Sequence, residues 1–257
     1  MKPRLLLIDA LNLIRRIYAV HEPKSATEQE VHLKACCLRV EKAVRSLLNK
    51  MAASHAVAVF DGERSWRYEF YPNYKMNRQP MPETLKNNLD KFMAAFAAAG
   101  VSSFSPDNDE ADDVIATLAS KAAEAGIAAT VVSTDKGFLP LLSEQISVYD
   151  HFKKSFITSE DVKSRFSVSK EKLTLFWALS GDRTNDIPGV SGIGIKTAKE
   201  LLARFNDYDA MLSAEQLTES QRGKLQAGGN DFVVSLALVT LRQDIELGFS
   251  LKDLRIS

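Results

Sequence analysis

The sequence predicts an α/β fold, with a parallel-rich central sheet flanked by helices, followed by a helical subdomain. Two observations predict it. Short apolar runs alternate with longer helical patterns in the first part of the chain, which is typical of parallel sheets. From about residue 156 the strand signal fades and amphipathic helical patterns dominate. We therefore expect a core over residues 1–155 and a helical subdomain over residues 156–257.

Four apolar runs have the length and the boundaries of buried strands. The first ends at Asp9, the second is followed directly by Asp61, and the third leads to Asp135. The runs are RLLLIDA (4–10), HAVAVFDG (55–62), AATVVSTDKG (128–137) and QISVYD (145–150). Parallel strands end at a common edge, where α/β proteins bind ligands. We expect the three aspartates to lie together at that edge.

Helical patterns separate these runs, at residues 30–51, 83–100 and 110–126. The last of them opens with DNDEADD (107–113), which places five carboxylates in seven positions: Asp107, Asp109, Glu110, Asp112 and Asp113. This helix leads back to the strand before Asp135, so it should begin at the same edge. So much negative charge in one crevice is tolerable around cations. Oxygen-only ligands favour Mg²⁺ or Mn²⁺ over zinc. The alternative is a set of unrelated surface acids beside a helix start.

Composition gives few further constraints. The formal net charge is zero, which excludes a global basic field, although residues 151–205 carry ten Lys/Arg against six Asp/Glu. Cys36 and Cys37 are adjacent, which fits neither a disulfide framework nor zinc spacing and suits a reducing cytoplasm. The first apolar run is interrupted at Asp9 and is too short for a signal peptide, and no run is long enough to span a membrane. We expect a cytoplasmic protein.

A glycine-rich turn lies in IPGVSGIGIKTAKELLARF (187–205). Gly189, Gly192 and Gly194 precede a helix that starts near Lys196, and the spacing fits a helix-hairpin-helix over residues 173–205. Such a hairpin presents backbone N–H groups to a phosphate and reads the DNA backbone rather than its sequence. Ile195 separates Gly194 from Lys196, which excludes a nucleotide-binding P-loop. A plain corner between two helices is the alternative.

A long basic and aromatic segment, residues 61–85, follows the second strand. Its basic and aromatic residues alternate: Arg64, Arg67, Lys75 and Arg78 with Trp66, Tyr68, Phe70, Tyr71 and Tyr74. This composition suits a channel for phosphates and bases. It equally suits a lid whose aromatic rings pack on the sheet, and composition alone leaves the two readings open. The tail from Glu215 has a helical, charged pattern and a short apolar end, and the pattern does not indicate a role for that end.

The motifs together resemble one family. LLLIDALNL, AVFDG, YPNYKMNRQPMP, NDEADDVIATLA, VVSTDKG and SGDRTNDIPGVSGIGIKTA occur in the order found in the bacterial flap endonucleases, or 5′-3′ exonucleases. The resemblance covers nearly the whole chain and is closest to the stand-alone type, without a polymerase domain. It implies a PIN-like 5′-nuclease core with a helical arch over residues 62–90 and a helix-hairpin-helix of the H3TH type. It also implies hydrolysis of phosphodiester bonds at 5′ flaps of branched DNA during replication and repair.

The resemblance also implies roles for individual residues. The carboxylates matched to a first Mg²⁺ or Mn²⁺ site are Asp9, Asp61, Glu110, Asp112 and Asp113, and those matched to a second site are Asp135 and Asp182. Lys75 and Arg78 match the catalytic basic pair of the arch, and Arg67 and Tyr74 match neighbours that contact DNA. The hairpin residues expected on the DNA backbone are Gly192, Ile193, Gly194, Ile195, Lys196 and Thr197. Backbone carbonyls expected to bind K⁺ are those of Leu179, Ser180, Pro188, Val190 and Ile193.

The sequence departs from the family pattern at the second metal site. Gly137 stands where the usual DKD motif has its second aspartate, and Asn185 and Asp186 are exchanged relative to the usual GDxSDN. We therefore expect the second ion to bind weakly or only with substrate. A branched-DNA-binding protein with decayed catalysis is the alternative function. A small-substrate phosphatase is a third, although Asp9 is not followed by a DxD pattern. We expect a monomer with no obligate protein partner and no membrane association.

Overall fold

The computed structural model describes residues 2–20 and 25–256, with only the backbone of Ala26. The chain forms two compact units. The first contains the described residues up to Ser65, then Pro80–Ile157, and the described residues from Arg242 onward. The second contains Trp66–Gln79 and Thr158–Leu241. The predicted boundary near residue 156 lies close to the observed one. The predicted domains differ from these units at residues 66–79, which belong to the second unit, and at the tail from Arg242, which belongs to the first.

The first unit is built on a six-stranded sheet. In chain order the strands are β1 (Arg4–Asp9), β2 (His55–Val59), β3 (Ser102–Phe104), β4 (Ala128–Val132), β5 (Ile146–Asp150) and β6 (Ser155–Ile157). They lie in the order β3-β2-β1-β4-β5-β6, and all neighbours are parallel except the antiparallel pair β5–β6. The chain therefore builds the sheet outward from β1 in one direction and then resumes at β4 on the other side. This reversal makes the carboxyl ends of β1 and β4 the topological switch point of the sheet.

Helices connect the strands and form the second unit. In chain order they are α1 (Ala10–Tyr18), α2 (Ala26–Met51), α3 (Trp66–Phe70), α4 (Glu83–Lys86), α5 (Leu89–Ala98), α6 (Ala111–Glu124), α7 (Ser159–Phe166), α8 (Leu173–Ser180), α9 (Ile195–Leu202), α10 (Tyr208–Ser213), α11 (Glu219–Ala227) and α12 (Gly229–Val239). Short 3₁₀ turns occupy Lys136–Leu141, Lys170–Lys172 and Leu251–Leu254. Among the described residues, none of these helices combines the length and the apolar character needed to cross a membrane.

Apolar patterning explains the core of the first unit. Leu5, Leu6, Leu7 and Ile8 of β1 are at most 2% exposed, because the central strand is covered on both faces, and its run is continuous rather than alternating. The buried stripe of α2 recurs at helical spacing: Leu33, Cys36, Val40, Val44 and Leu47. Burial of each such side chain contributes about 1.5–3 kcal/mol. Ser25 begins α2 by accepting a hydrogen bond from the Glu28 N–H.

The predicted elements of the first unit are largely confirmed. All four expected strands are present, and the helices expected at 30–51 and 110–126 correspond to α2 and α6. The helix expected over residues 83–100 is two helices, α4 and α5, separated at Asn87 and Asn88. Strands β3 and β6 were not predicted, since each has only three residues.

Candidate functional site

Asp9 lies at the switch point, where β1 ends and α1 begins. Its Oδ1 accepts a hydrogen bond from the Asn12 N–H (3.1 Å), which caps α1, and its Oδ2 accepts one from the Ser133 hydroxyl (2.7 Å). Asn12 in turn accepts hydrogen bonds from the backbone and the hydroxyl of Thr134 at 3.2 and 3.1 Å. The residues that follow β4 are thereby joined to the end of β1. Ser133 and Asn12 were not predicted as site residues, although both lie within three positions of a predicted one.

The charge of Asp9 is unfavourable in the metal-free protein. The pKa of its carboxyl is raised to about 7, chiefly by burial, and the hydrogen bonds from Ser133 and Asn12 offset only part of this rise. The negative charges of Asp61 and Asp135 contribute to the same rise. The structure therefore brings the three strand-end aspartates close enough for their charges to interact. A cation among them would remove both the repulsion and the penalty of burying a bare carboxylate.

Asp61 connects the end of β2 to the start of α6. Its Oδ1 accepts a hydrogen bond from the N–H of Ala111 (3.0 Å), the first residue of α6, whose N–H has no partner within the helix. Gly62 allows this close approach: a Cβ at this position would lie 2.5 Å from the Pro106 carbonyl oxygen and 2.7 Å from that of Asp109. The acidic stretch that begins α6 is therefore held directly against the end of β2.

The carboxylates of this stretch have different environments. Glu110 is the N-terminal cap residue of α6 and is 5% exposed, whereas Asp112 is half-buried in the first turn. Asp113 is fully buried, and its Oδ1 accepts a hydrogen bond from the Arg242 N–H (2.9 Å). Asp109 forms an ion pair with the Arg242 guanidinium at 2.9 Å. Two of the five carboxylates thus bind the tail, and the metal-ligand role expected for Asp113 stays a prediction.

The tail after residue 241 lies along α6, which answers a question the sequence left open. Thr117 Oγ1 donates to the Arg242 carbonyl oxygen (3.3 Å) and accepts from the Ile245 N–H (3.4 Å). Lys121 Nζ donates to the Ile245 carbonyl oxygen (3.1 Å). These bonds fix the position of α6 along its length, and through it the position of its acidic first turn.

Asp135 lies two residues beyond Ser133, after β4. Its Oδ1 accepts a hydrogen bond from the Gly137 N–H (2.7 Å), and its own N–H donates to Ser133 Oγ (3.0 Å). A Cβ at Gly137 would lie 3.3 Å from Asp135 Oδ1 and would meet no other residue within 3.4 Å. A side chain at position 137 would therefore project beside the Asp135 carboxylate with little steric conflict.

The carboxylates of the first unit fit a divalent cation by their charge and their donor atoms. Within residues 2–20 and 25–256, no group of three or more Asp, Glu, His or Cys side chains is arranged to hold a metal ion as it stands. Instead, Asp9, Asp61 and Asp135 accept hydrogen bonds from protein donors. Hard oxygen ligands and an uncompensated buried carboxylate suit Mg²⁺ or Mn²⁺. Binding would exchange some of these hydrogen bonds for the ion.

Asp182, expected at the second metal site, belongs to the second unit and begins a tight turn there. Its backbone exchanges two hydrogen bonds of 2.9 Å with Ile187. Its side-chain oxygens accept from the Thr184 N–H (3.1 Å) and from Asn185 Nδ2 (3.0 Å). Both oxygens therefore bind within the turn itself, and the metal-ligand role of Asp182 stays a prediction.

The glycine hairpin joins α8 to α9 in the second unit. Gly189 adopts a left-handed backbone (φ 67°), and a Cβ there would lie 2.2 Å from the Gly181 nitrogen and 2.7 Å from the Leu179 carbonyl oxygen. This glycine thus serves close packing inside the hairpin, which differs from the phosphate approach expected for it. Around Gly194, at the start of α9, a Cβ would meet no atom within 4 Å. Ile195 is 61% exposed, and Lys196 is exposed beside it.

The carbonyls expected to bind K⁺ lie on the inner part of the same hairpin. Leu179 O accepts a hydrogen bond from the Val190 N–H (2.8 Å), and Val190 O accepts one from the Ile193 N–H (2.9 Å). The Gly189 N–H donates to the buried hydroxyl of Ser235 (2.9 Å). These hydrogen bonds join the two sides of the hairpin. K⁺ binding by its carbonyls stays a prediction.

Arg67 and Tyr74, which we expected to contact DNA, are buried, and that contact stays a prediction. Arg67 is 1% exposed, and its guanidinium donates to the carbonyl oxygens of Leu238 (3.0 Å) and Thr240 (3.1 Å) at the end of α12. Tyr74 is 5% exposed and packs with Ile187 and Leu238. Both side chains anchor residues 66–79 within the second unit, whereas the packing alternative for this segment placed its aromatic rings on the sheet.

Lys75 and Arg78, the predicted catalytic pair, lie on the accessible part of this segment. Lys75 is half-buried, with its ammonium 4.8 Å from the centre of the Tyr74 ring, and Arg78 is exposed. Lys75 has a left-handed backbone (φ 55°), and its N–H donates to the Asn185 carbonyl oxygen (3.0 Å). The Arg78 N–H donates back to the Lys75 carbonyl oxygen (3.1 Å), so the two side chains extend from one turn.

Known proteins resemble the chain along its whole length. Residues 4–167 match the 5′-3′ exonuclease N-terminal, resolvase-like domain, and residues 168–257 match the 5′-3′ exonuclease C-terminal SAM fold. The chain is 53% identical to the flap endonuclease Xni of Pseudoalteromonas translucida (strain TAC 125), over 100% of both chains.

Two solved structures have a similar fold. The T5 5′-exonuclease with bound zinc ions has a TM-score of 0.77 at 22% identity, covering 93% of this chain and 89% of that one. The bacteriophage T5 flap endonuclease with DNA and metal ions has a TM-score of 0.72, also at 22% identity and with the same coverage.

Proposed function

The chain belongs to the 5′-3′ exonuclease family, and on that premise we propose that it is a structure-specific nuclease that cleaves branched DNA at 5′ single-stranded flaps. The observation that carries the proposal is end-to-end identity of 53% with a flap endonuclease, in a chain whose acidic residues gather at the switch point of the sheet. Cleavage at such flaps is a step in replication and repair.

The first unit would hold the divalent cation. The residues that would bind it are Asp9, Asp61, Glu110 and Asp112, with Asp113 as a further expected ligand. When bound, Mg²⁺ or Mn²⁺ polarises the scissile phosphate and lowers the pKa of the attacking water. Ser133 and Asn12 orient Asp9 through hydrogen bonds to its two oxygens. No protein nucleophile is required, because water attacks the phosphorus.

Lys75 and Arg78 neutralise charge on the scissile phosphate. Positive side chains aimed at the oxygens where charge develops stabilise the transition state more than the ground state. The exposed guanidinium of Arg78 and the ammonium of Lys75 extend from one turn, so they can act on a single phosphate together.

The hairpin binds the DNA backbone. The open surface at Gly194 and the exposed Lys196 support a phosphate contact at the start of α9. The residues proposed for this contact are Gly192, Ile193, Gly194, Ile195, Lys196 and Thr197. A potassium ion on the carbonyls of the same hairpin would orient these N–H groups. Replacement of K⁺ by Na⁺ should then weaken binding of a flap substrate in EDTA, measured by fluorescence anisotropy at equal ionic strength.

A DNA-binding protein with decayed catalysis is the second candidate. Gly137 carries no carboxylate, and both oxygens of Asp182 bind within their own turn. These observations favour a weak second metal site. The nuclease would need the first ion, and its second ion would bind weakly or only when substrate DNA is present. The binding protein would need neither ion.

A flap-cleavage assay separates the two candidates. The substrate is a 5′-flap oligonucleotide duplex labelled on the flap strand, with an equivalent 3′ flap and a nicked duplex as controls. We expect cleavage at the 5′-flap junction with Mg²⁺ or Mn²⁺ and none with EDTA. Tight binding without cleavage in either metal would support the decayed form.

We propose that the active species is a cytoplasmic monomer without an obligate protein partner.

A further inference from the structure

The exposed turn that carries Lys75 and Arg78 is tied to a second turn by one side-chain pair. Asp186 Oδ2 accepts a hydrogen bond from the Asn77 N–H, and Asp186 Oδ1 accepts one from Asn77 Nδ2, both at 2.9 Å. Asn77 lies between the two predicted catalytic residues in sequence. Both oxygens of the carboxylate therefore hold the turn from which those residues extend.

Backbone geometry shows why this turn needs to be held. Lys75 has φ 55°, a left-handed conformation that a lysine leaves unless its surroundings maintain it. Its N–H donates to the Asn185 carbonyl oxygen (3.0 Å), and two residues later Asn77 is bound to Asp186. Asp186 is itself left-handed (φ 53°), a conformation that Asp and Asn tolerate better than most residues. The adjacent residues Asn185 and Asp186 therefore bind the backbone of Lys75 and of Asn77, respectively.

The same contacts account for the exchange of Asn and Asp at positions 185 and 186. Asn185 directs its amide to Asp182 Oδ2 (3.0 Å) and its carbonyl to the Lys75 N–H. The carboxylate falls at position 186, where it faces Asn77. The hydrogen bonds from Asn77 lower the pKa of Asp186, because they stabilise its charged form.

We propose that Asp186 is a positioning residue that holds the Lys75–Arg78 turn through Asn77, and is not a ligand of the second metal. The inference rests on the proposed function, because it assigns Asp186 to the reaction that Lys75 and Arg78 serve. In this proposal the exchange of Asn and Asp at positions 185 and 186 has a function. The carboxylate at position 186 orders the turn before DNA binds. An ordered turn loses less conformational entropy when the phosphate binds.

The test compares variants that remove the bonds with variants that keep them. Asp186→Ala removes both hydrogen bonds, whereas Asn77→Ala removes only the bond from the side-chain amide and keeps the one from the backbone N–H. Asp186→Asn removes the charge but keeps an oxygen for the Asn77 N–H, and rotation of the Asn77 amide keeps the second bond. Asp207→Asn is the matched control, since Asp207 is an exposed carboxylate of the same unit that accepts the Ala210 N–H (2.6 Å).

We expect Asp186→Ala to lower kcat on a 5′ flap about tenfold with KM changed less than twofold, since misplacement of a catalytic group affects the rate first. Asn77→Ala keeps the backbone bond to Asp186 and should lower kcat by a smaller factor. The double variant should be no worse than Asp186→Ala alone. The kcat of Asp186→Asn should stay within about twofold of the wild type, because this variant keeps hydrogen bonds to Asn77. The kcat of Asp207→Asn should also stay within about twofold, because Asp207 does not contact the turn. Asp186→Asn as damaging as Asp186→Ala would overturn the proposal and indicate a metal ligand. Wild-type cleavage by Asp186→Ala would also overturn it.

Hydrogen exchange keeps this test independent of the proposed function. In the metal-free wild type, the amides of Lys75, Asn77 and Arg78 are hydrogen-bonded and should exchange slowly. In Asp186→Ala they should exchange faster, while the peptide containing α12 is unchanged. Unchanged exchange at residues 75–78 would contradict the proposal even if the protein cleaves flaps. Faster exchange in a protein that cleaves no flap would support the positioning role and refute the nuclease.

Discussion

The hydroxyl of Ser133 donates a 2.7 Å hydrogen bond to Oδ2 of Asp9 and joins the carboxyl ends of the adjacent parallel strands β4 and β1. The bond crosses the switch point of the sheet. It also stabilises the charged form of a carboxylate whose pKa is raised to about 7, chiefly by burial. Ser133 therefore prepares Asp9 to receive a cation.

Loss of this bond should weaken metal binding. We expect Ser133→Ala to raise the Mg²⁺ concentration for half-maximal flap cleavage about tenfold, because a partner that orients a ligand is typically worth 10–100-fold in metal affinity. Ser103→Ala is the control, since the buried Ser103 hydroxyl has no hydrogen-bond partner among the described residues. Equal Mg²⁺ requirements for Ser133→Ala and the wild type would exclude this role.

Asp112 should be essential for chemistry. Removal of a metal ligand loses several kcal/mol of transition-state stabilisation, so Asp112→Ala should slow flap cleavage roughly a thousandfold or more. Binding of the flap in EDTA should be retained, as measured by anisotropy. Asp107→Ala removes an exposed acid of the same stretch and should cleave at nearly the wild-type rate. Loss of folding in Asp112→Ala would instead make this residue structural.

Asp113, the next residue, should contribute to stability. It is fully buried and accepts the Arg242 N–H, so Asp113→Ala leaves that donor without its partner. We expect the free energy of unfolding to fall by about 2 kcal/mol, measured by urea denaturation in EDTA. Asp112→Ala, measured in the same way, should be close to the wild type. A wild-type unfolding curve for Asp113→Ala, with loss of metal binding, would return Asp113 to the ligand set.

Substitution of Arg67 should lower stability, whereas substitution of Arg78 should lower the rate of cleavage. Arg67→Ala removes a buried guanidinium from the carbonyls of Leu238 and Thr240. We expect it to cost about 3 kcal/mol of stability, since hydrogen bonds to charged groups contribute about 1.5–3 kcal/mol each. Arg78→Ala should leave the thermal midpoint unchanged and lower kcat. A folded, wild-type-stable Arg67→Ala that binds DNA poorly would restore the DNA contact expected from the sequence.

Gly137→Asp should strengthen the second metal site. The new carboxylate would stand beside Asp135, where a Cβ has only one close neighbour, at 3.3 Å. We expect it to lower the Mg²⁺ concentration for half-maximal cleavage severalfold by adding a charged oxygen ligand. Gly137→Asn has nearly the same size without the charge and should resemble the wild type. If the two variants behave alike, the effect is steric and position 137 is not part of a metal site.

The strands of the first unit can be predicted from the sequence better than the side-chain packing of the second unit. Strands β1, β2 and β4 could be predicted because a continuous apolar run, followed by an aspartate, marks each one. Strand β3 has only Ser102–Phe104, too few residues for a periodic signal. The burial of Arg67 and Tyr74 could not be predicted, because alternation of basic and aromatic residues is the same whether a segment lines a channel or packs on its neighbours. The contact of the tail with Asp113 depends on residues more than 120 positions apart.

The central claim is that distant carboxylates at the switch point share one divalent ion. A crystal of the wild-type protein soaked in Mn²⁺ and measured at the manganese absorption edge tests it most directly. The account predicts an anomalous peak at the carboxyl ends of β1 and β2, with oxygens of Asp9, Asp61, Glu110 and Asp112 within about 2.5 Å of the ion or hydrogen-bonded to its bound waters. Ordered carboxylates without a manganese peak, in crystals of a protein that cleaves flaps in solution, would contradict it.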